Sequence, residues 1–291
     1  MHDFTPVRLL IFGYGYVAQH LIEYIKDFNW IVHATTRNPE SHEPLKQAVT
    51  LLDYNQQSNI ESHIKHATHI LVTIPPDKEN GDVVLAQFKN CILNEAQSLK
   101  WIGYLSSTSV YGDHQGDWVD EESTCYPDSH FAINRYQAEN NWISLFNIHA
   151  LPIHIFRLAG IYGPNRNIFE KIKAGKQETI IKEDQFFSRI HVTDICMTLA
   201  QSMLNVTPGE YYNLADDLPA PLHEVECLGA KLLGCKLKII PFERAELSKM
   251  AQAFFKANKK INNHKVKQIL KLKWNYPNYK LGLTREFNNL K

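Results

Sequence analysis

The chain has 291 residues, enough to bury a sizeable core as one large domain or as a principal domain with a smaller appendage. Hydrophobic residues make up 44% and charged residues 21%, with a mean hydropathy of −0.32, which is ordinary globular composition and excludes a fibrous or disordered chain. Lys+Arg and Asp+Glu number 31 each, so there is no basic excess to suggest binding to nucleic acid or to an anionic membrane surface.

No apolar run approaches the roughly 20 residues a membrane helix needs. The first residues, Met1 to Pro6, lack the charged and apolar regions of a signal peptide, so a cytoplasmic location is expected. The five cysteines form no C-x-x-C pair and are expected to be free, mostly buried thiols. The fourteen histidines are scattered without metal-ligand spacing, so no metal is expected.

In chain order, short β-branched runs alternate with longer amphipathic stretches, the pattern of a parallel sheet covered by crossover helices. Strands are expected at 8–12, 31–36, 49–52, 69–73, 101–106 and 149–158, with helices at 16–28, 82–98 and 131–145. The fourth strand should stop at Pro75-Pro76, because proline cannot donate to a ladder. Beyond Gly163 the alternation becomes irregular. Helices are expected at 167–174, 193–204, 221–233 and 262–270, with a strand ending near Ile190. No internal repeat or low-complexity linker is present. The expected architecture is α/β: a Rossmann-type doubly wound parallel sheet with a smaller C-terminal substrate lobe. Its division falls at 1–163 and 164–291, with the chain returning to the first domain around 188–215.

The first strand runs into Gly13-Tyr14-Gly15-Tyr16-Val17-Ala18, which opens the first helix. At a strand-to-helix turn, Gly13 permits the tight bend and Gly15 lets the backbone approach a pyrophosphate. That anion would rest on the amides of Tyr16 and Val17 at the positive end of the helix. Ala18 stands where a third glycine is usual and still allows close packing of helix on strand. A plain tight turn is the alternative, but the surrounding pattern favours a dinucleotide.

An NAD site usually has an acid roughly 20 residues past the turn. Here the second strand ends His33-Ala34-Thr35-Thr36-Arg37-Asn38. Arg37 carries a planar donor fork suited to a 2′-phosphate or to stacking on adenine, and Thr35 and Thr36 could add hydroxyls. NADP is therefore the expected cofactor, with NAD possible; the alternative for Arg37 is a solvated loop charge. Asp53 is placed to meet the adenine amino group or to cap the next turn. Pro75 is expected to line the cofactor.

Four later stretches resemble the extended short-chain dehydrogenase/reductases, the NAD(P)-dependent epimerase/dehydratase group. They are Tyr104-Leu-Ser-Ser-Thr-Ser-Val-Tyr-Gly112, Arg157-Leu-Ala-Gly-Ile-Tyr-Gly-Pro164, Ser188-Arg-Ile-His-Val-Thr-Asp194 and Asn213-Leu-Ala-Asp-Asp217. They occur in the family order, and the resemblance covers 8–217. It implies a hydroxyl on Ser107 that bonds the substrate oxygen, with Ser106 on the cofactor side and Thr108 on the substrate side. It also implies a tyrosine and lysine in Y-x-x-x-K, whose phenol shuttles a proton while hydride moves.

The helix that should carry Y-x-x-x-K reads His130-Phe131-Ala-Ile-Asn-Arg135-Tyr136-Gln-Ala-Glu139, so Phe131 and Arg135 hold the two positions. This F-x-x-x-R pattern resembles the atypical members of the group. Phe131 cannot exchange a proton. Arg135 keeps a positive charge, essentially never deprotonates, and could hold the nicotinamide ribose. Substitute acid/base candidates are Tyr111 and His130, ahead of Tyr136, which lies about 100° around the helix from Arg135. The plain alternatives are Tyr111 as a structural residue, His130 as a solvated helix start and Tyr136 as packing.

Arg166, Arg189 and His191 sit where the resemblance implies contacts to an anionic or sugar-nucleotide substrate. Arg189 could instead pair with Asp194 or Asp216, and His191 could be a satisfied core histidine. In the run 258–265, Lys260 is a further substrate-side candidate or part of a solvated face. The expected function is an oxidoreductase or epimerase/dehydratase-like enzyme acting on a small polar or nucleotide-linked carbonyl or alcohol, with an altered proton-transfer group. The rival is a cofactor-binding sensor or regulator without turnover. Expected partners are the small-molecule substrate and, by resemblance, a second copy of the chain as a homodimer.

Overall fold

The computed structural model describes residues 6–42, 49–247, 252 and 254–290. The strands in chain order are β1 (Arg8–Phe12), β2 (Ile31–Thr36), β3 (Thr50–Asp53), β4 (His69–Val72), β5 (Trp101–Ser107), β6 (Trp118–Val119), β7 (Ile153–Leu158), β8 (Gly160–Tyr162), β9 (Glu178–Ile181), β10 (Arg189–His191), β11 (Tyr211–Leu214), β12 (Lys238–Pro241) and β13 (Lys260–Ile261). The helices that matter below are α1 (Tyr16–Ile25), α2 (Gln57–His66), α3 (Val83–Asn94), α4 (His130–His149), α5 (Ile168–Lys173), α6 (Val192–Leu204), α7 (Leu222–Leu232), α8 (His264–Ile269) and α9 (Tyr279–Asn288).

Seven strands form one sheet in the order β11-β7-β5-β4-β1-β2-β3. The pairs β1–β2, β1–β4, β2–β3 and β4–β5 are all parallel. The order reverses at β1, which puts the glycine turn at the topological switch point where open α/β sheets bind ligands. The expected Rossmann-type architecture is the one observed.

Central strands read as unbroken apolar runs because helices cover both faces. Leu9, Leu10, Ile11 and Phe12 of β1 and Ile70, Leu71 and Val72 of β4 are all buried. In α1 the buried residues are Val17, Ala18, Leu21, Ile22 and Ile25, spaced to face the sheet along one stripe. Asp82 caps α3, its carboxylate accepting from the amides of Val84 and Leu85.

The chain divides into two compact units. Unit 1 comprises Met1–Ser107, His130–Arg157 and Ile195–Tyr212; unit 2 comprises Thr108–Ser129, Leu158–Asp194 and Asn213–Lys291. Residues 108–129 thus belong to the second unit, an excursion that a division at residue 163 leaves in the first. Unit 2 contains the two-stranded parallel pairs β8–β10, β9–β12 and β6–β13. It also has a small core of Ile168, Phe169, Ala220, Val225, Tyr279 and Leu283.

Several element ends shift. The seventh strand starts at Ile153, not at 149, because α4 continues to His149 and Ala150 then turns with φ 55°. Helices α2 and α9 were not expected from the sequence. The free thiols are less buried than expected: Cys196 is buried, Cys91, Cys125 and Cys227 are half-buried, and Cys235 is exposed. No helix among the described residues is long and apolar enough to cross a membrane.

Candidate functional site

Within unit 1, Gly13 has φ +102° and an added Cβ would lie 2.5 Å from Thr73 Oγ1, so only glycine fits. Gly15 is different. Its backbone is extended, and a Cβ there would meet no atom within 4 Å. The open side of Gly15 borders the start of α1, which has no side-chain cap, so the first-turn amides of Tyr16, Val17 and Ala18 form the positive end of an uncapped helix. Ala18 is fully buried, in keeping with close helix–strand packing. This arrangement fits a pyrophosphate.

At the end of β2, Thr35 is fully buried and its hydroxyl accepts the Gly13 amide at 3.0 Å. Because Thr35 is fully buried, it does not offer the hydroxyl donor expected for the cofactor. Thr36 is half-buried and its Oγ1 accepts from the Asn38 amide at 3.4 Å. Arg37 is exposed, with no hydrogen-bond or ion-pair partner among the described residues. Asp53 lies opposite Thr36 in the sheet register. Its carboxylate accepts from the backbone and side chain of Asn55 and from Gln56, so it caps the turn after β3. Pro75 is exposed just beyond β4.

Two serines, Ser106 and Ser107, stand at the end of β5. Ser106 is buried and its Oγ donates to Glu139, which is itself fully buried. Arg157 holds that carboxylate with Nη2 at 2.8 Å and Nε at 3.2 Å from both oxygens, and stacks over the Tyr211 ring. Ser106, placed on the cofactor by the resemblance, is thus part of a buried structural network. Ser107 is half-buried at the strand end.

Arg135 donates from Nη1 to the Leu105 carbonyl at 2.8 Å and to the Tyr104 hydroxyl at 3.4 Å. It braces the end of β5 behind Ser107. Burial pushes the Tyr104 phenol above its ordinary pKa, so this tyrosine stays protonated. Phe131 is 76% exposed at the first turn of α4, and His130 beside it is also exposed. Tyr136 is half-buried on the same helix.

In unit 2 most of the singled-out residues are engaged internally. Tyr111 is fully buried and its hydroxyl donates to Asn213 Oδ1 at 2.8 Å, so the structural alternative is the one its geometry supports. His191 is buried against the Tyr276 ring at 3.6 Å. Its Nδ1 accepts the Thr193 amide, which places the ring proton on Nε2, facing Glu286 at 3.3 Å. That is a satisfied core histidine. Asp194 accepts the amides of Asn275 and Tyr276 at 2.8 and 2.9 Å.

Arg189 donates to the carbonyls of Phe187 and Ala220 and lies in the field of Asp216. Burial pushes the Asp216 carboxyl up to about 8. Among the expected substrate contacts, Arg166 is exposed and Thr108 half-buried.

Within the run 258–265, the adjacent Lys259 and Lys260 divide differently from the expectation. Lys260 lies over the rings of Phe186 and Trp118, at 4.7 and 5.9 Å. Lys259, passed over in the sequence, donates to the Gly112 carbonyl at 2.8 Å, and burial lowers its pKa to about 8. Nothing in the local sequence separates the two adjacent lysines; only their burial does.

A parallel sheet that reverses its order at β1, with an open glycine turn there, defines a dinucleotide-binding protein of the Rossmann class. Residues 9–215 match the NAD dependent epimerase/dehydratase family, and the chain belongs to that family.

Among solved structures, a functionally unknown conserved protein from Silicibacter pomeroyi DSS is 39% identical with a TM-score of 0.91, over 97% of this chain and 99% of that one. The dTDP-glucose 4,6-dehydratase of Bacillus anthracis in complex with NAD shares 16% identity and a TM-score of 0.78, over 97% and 96%. The UDP-N-acetylglucosamine 4-epimerase of Bacillus cereus shares 14% and 0.76, over 98% and 99%. At those identities the likeness is one of fold. A curated relative, the ADP-L-glycero-D-manno-heptose-6-epimerase of Brachyspira hyodysenteriae, is 28% identical over 107 residues, 32% of this chain and 34% of that protein. The chain thus matches about a third of that relative's length.

Proposed function

We propose that this protein binds NADP(H) and acts as an oxidoreductase or epimerase/dehydratase-like enzyme on a small polar or nucleotide-linked carbonyl or alcohol. The observation that carries the cofactor preference is Arg37, exposed at the end of β2 and unpaired among the described residues. An arginine already neutralised by Asp53 would not select a 2′-phosphate, but Asp53 is held by Asn55 and Gln56. NAD is the alternative cofactor, because solved neighbours of the same fold are complexes with NAD.

The bound cofactor would supply hydride exchange at its nicotinamide. Ser107 is the hydroxyl proposed to hold the substrate oxygen, since Ser106 is tied to Glu139. Exposed His130 is the remaining candidate acid/base near the start of α4. On the substrate side, exposed Arg166 and half-buried Thr108 remain the candidates. A cytoplasmic location and a homodimer belong to the same proposal, the latter by family resemblance.

Calorimetry tests the cofactor assignment. NADPH should bind tighter than NADH, and Arg37→Ala should erase the difference; equal affinities in the parent protein would refute it. Loss of NADPH oxidation in Ser107→Ala across a carbonyl panel tests the enzyme. A second reading, a cofactor-binding sensor without turnover, is favoured by Phe131 and by the engagement of Arg135 with the β5 backbone. Intact cofactor binding without turnover on any substrate of the panel would select it.

A further inference from the structure

The glycine turn is held from both sides by threonines that belong to neither the turn nor the helix. Leaving β1, the chain bends at Gly13 with φ +102°. Thr35 Oγ1, from the buried end of β2, accepts that amide at 3.0 Å. On the other flank, Thr73 Oγ1 donates to the Phe12 carbonyl at 2.9 Å and lies 3.4 Å from the Gly13 carbonyl. The Thr73 amide adds a second bond to Phe12 O at 2.9 Å. Thr73 Oγ1 also occupies the space where a Gly13 Cβ would go.

From this we infer that Thr35 and Thr73 are positioning residues for cofactor binding, clamping the Gly13 turn in the shape that receives the pyrophosphate. The inference rests on the dinucleotide reading of that turn and concerns how its backbone is preset.

Three physical points support it. An amide withdrawn from water without an acceptor is costly, so Thr35, bonded to the half-buried Gly13 N–H, fixes where it points. A β-branched threonine has few χ1 rotamers, and both hydroxyls sit at strand ends, so the clamp is itself rigid. The Gly13 amide, once taken by Thr35, is no longer a donor for the cofactor. The anion must then be received by the open Gly15 side and the first amides of α1, and the clamp sets their direction.

Thr35 lies two residues before Arg37 on the same strand, yet the two should act on different parts of the cofactor. Arg37 would recognise the 2′-phosphate. The clamp would serve the pyrophosphate, which NADP+ and NAD+ share.

Binding of three probes, NADP+, NAD+ and 2′-AMP, to the full chain separates these roles. In Thr35→Val, which keeps the shape but removes the acceptor, NADP+ and NAD+ should both weaken about tenfold, while 2′-AMP, which lacks a pyrophosphate, binds as before. Thr35→Ser should restore both dinucleotides. Thr73→Val should repeat the pattern, and it keeps the test alive if Thr35→Val does not fold. Arg37→Ala should instead weaken NADP+ and 2′-AMP and spare NAD+. Unchanged dinucleotide affinity in both valine variants overturns the clamp, as does an equal loss for 2′-AMP. Failure of the parent protein to bind either dinucleotide refutes the cofactor reading itself, a different outcome.

Discussion

In unit 1 the motif residues at the glycine turn leave their ligand-facing side open: Gly15 has empty space above it and Arg37 projects unpaired among the described residues. In unit 2 the comparable motif residues face inward. Tyr111 bonds Asn213, His191 sits between Thr193, Tyr276 and Glu286, and Arg189 serves two backbone carbonyls. The same family signature therefore has two physical meanings. Where a motif surrounds a glycine turn, its residue types follow from what must approach the backbone. Where it lies on short strands in a unit with a small apolar core, polar side chains replace part of the missing hydrophobic cohesion.

The sharpest break of this comparison concerns α4, where unit 1 lacks the residues its motif position should hold. If proton transfer is the missing part, Phe131→Tyr with Arg135→Lys should raise NADPH-dependent turnover on a carbonyl panel by about 10²–10⁴-fold, the usual contribution of a positioned acid/base. No gain, with cofactor affinity intact, would favour the sensor reading. The change is geometrically modest, because Phe131 is exposed and Arg135 already lies behind Ser107.

Next in size is the buried pair behind β5. Arg157→Met would leave the Glu139 carboxylate uncompensated at zero exposure, at a cost of about 3–5 kcal/mol in denaturant unfolding. Changing both residues together, Glu139→Gln with Arg157→Met, should cost much less. Equal losses in the single and double variants would show that the pair matters for packing and not for charge.

What was legible in the sequence follows the same division. Six of the seven sheet strands, those with long apolar runs or sharp ends, were readable, as was the turn, because backbone requirements select glycine there; the four-residue β11 was not. The short pairs β9–β12 and β6–β13 were not, since two to four residues carry no periodicity. Helix α2 was missed because only Ile60 and Ile64 of its ten residues are buried, so its apolar stripe is too thin to stand out. The site was half legible. Arg37 announced itself by standing where an acid is usual, whereas the commitment of Thr35 to Gly13 and of Ser106 to Glu139 depends on contacts across 22 and 33 residues.

The units also differ in which pH extreme should strain them. In unit 2, Asp216 is buried, with one carboxylate oxygen lacking a partner among the described residues, and the Tyr162 hydroxyl is in the same condition. With the folded pKa raised to about 8 from 3.8, its protonated form favours the fold. That contribution is complete below pH 3.8 and is lost as pH rises through about 8. Asp216→Asn should therefore raise Tm at pH 9 and make little difference at pH 4. A Tm gain that is the same at both pH values would show that the carboxyl is ionised throughout.

Unit 1 should respond in the opposite sense, through smaller steps. His69 and His154 stack on the two sides of Trp101, and burial holds both near a pKa of about 4. In the unfolded chain each would titrate near 6.5, so the unfolded state takes up protons first as pH falls. Stability is then lost between about pH 6.5 and 4, at up to about 1.4 kcal/mol per pH unit for each ring. His154→Gln keeps a donor and an acceptor for the Ile102 carbonyl and the Thr207 amide that the ring now meets. The substitution should cost stability at pH 7, and urea unfolding should show that cost shrinking as pH falls to 5, because the glutamine has no proton to take up. A cost that stays constant from pH 7 to 5 would mean that His154 is protonated in the fold, and the acid sensitivity of unit 1 would have to come from elsewhere.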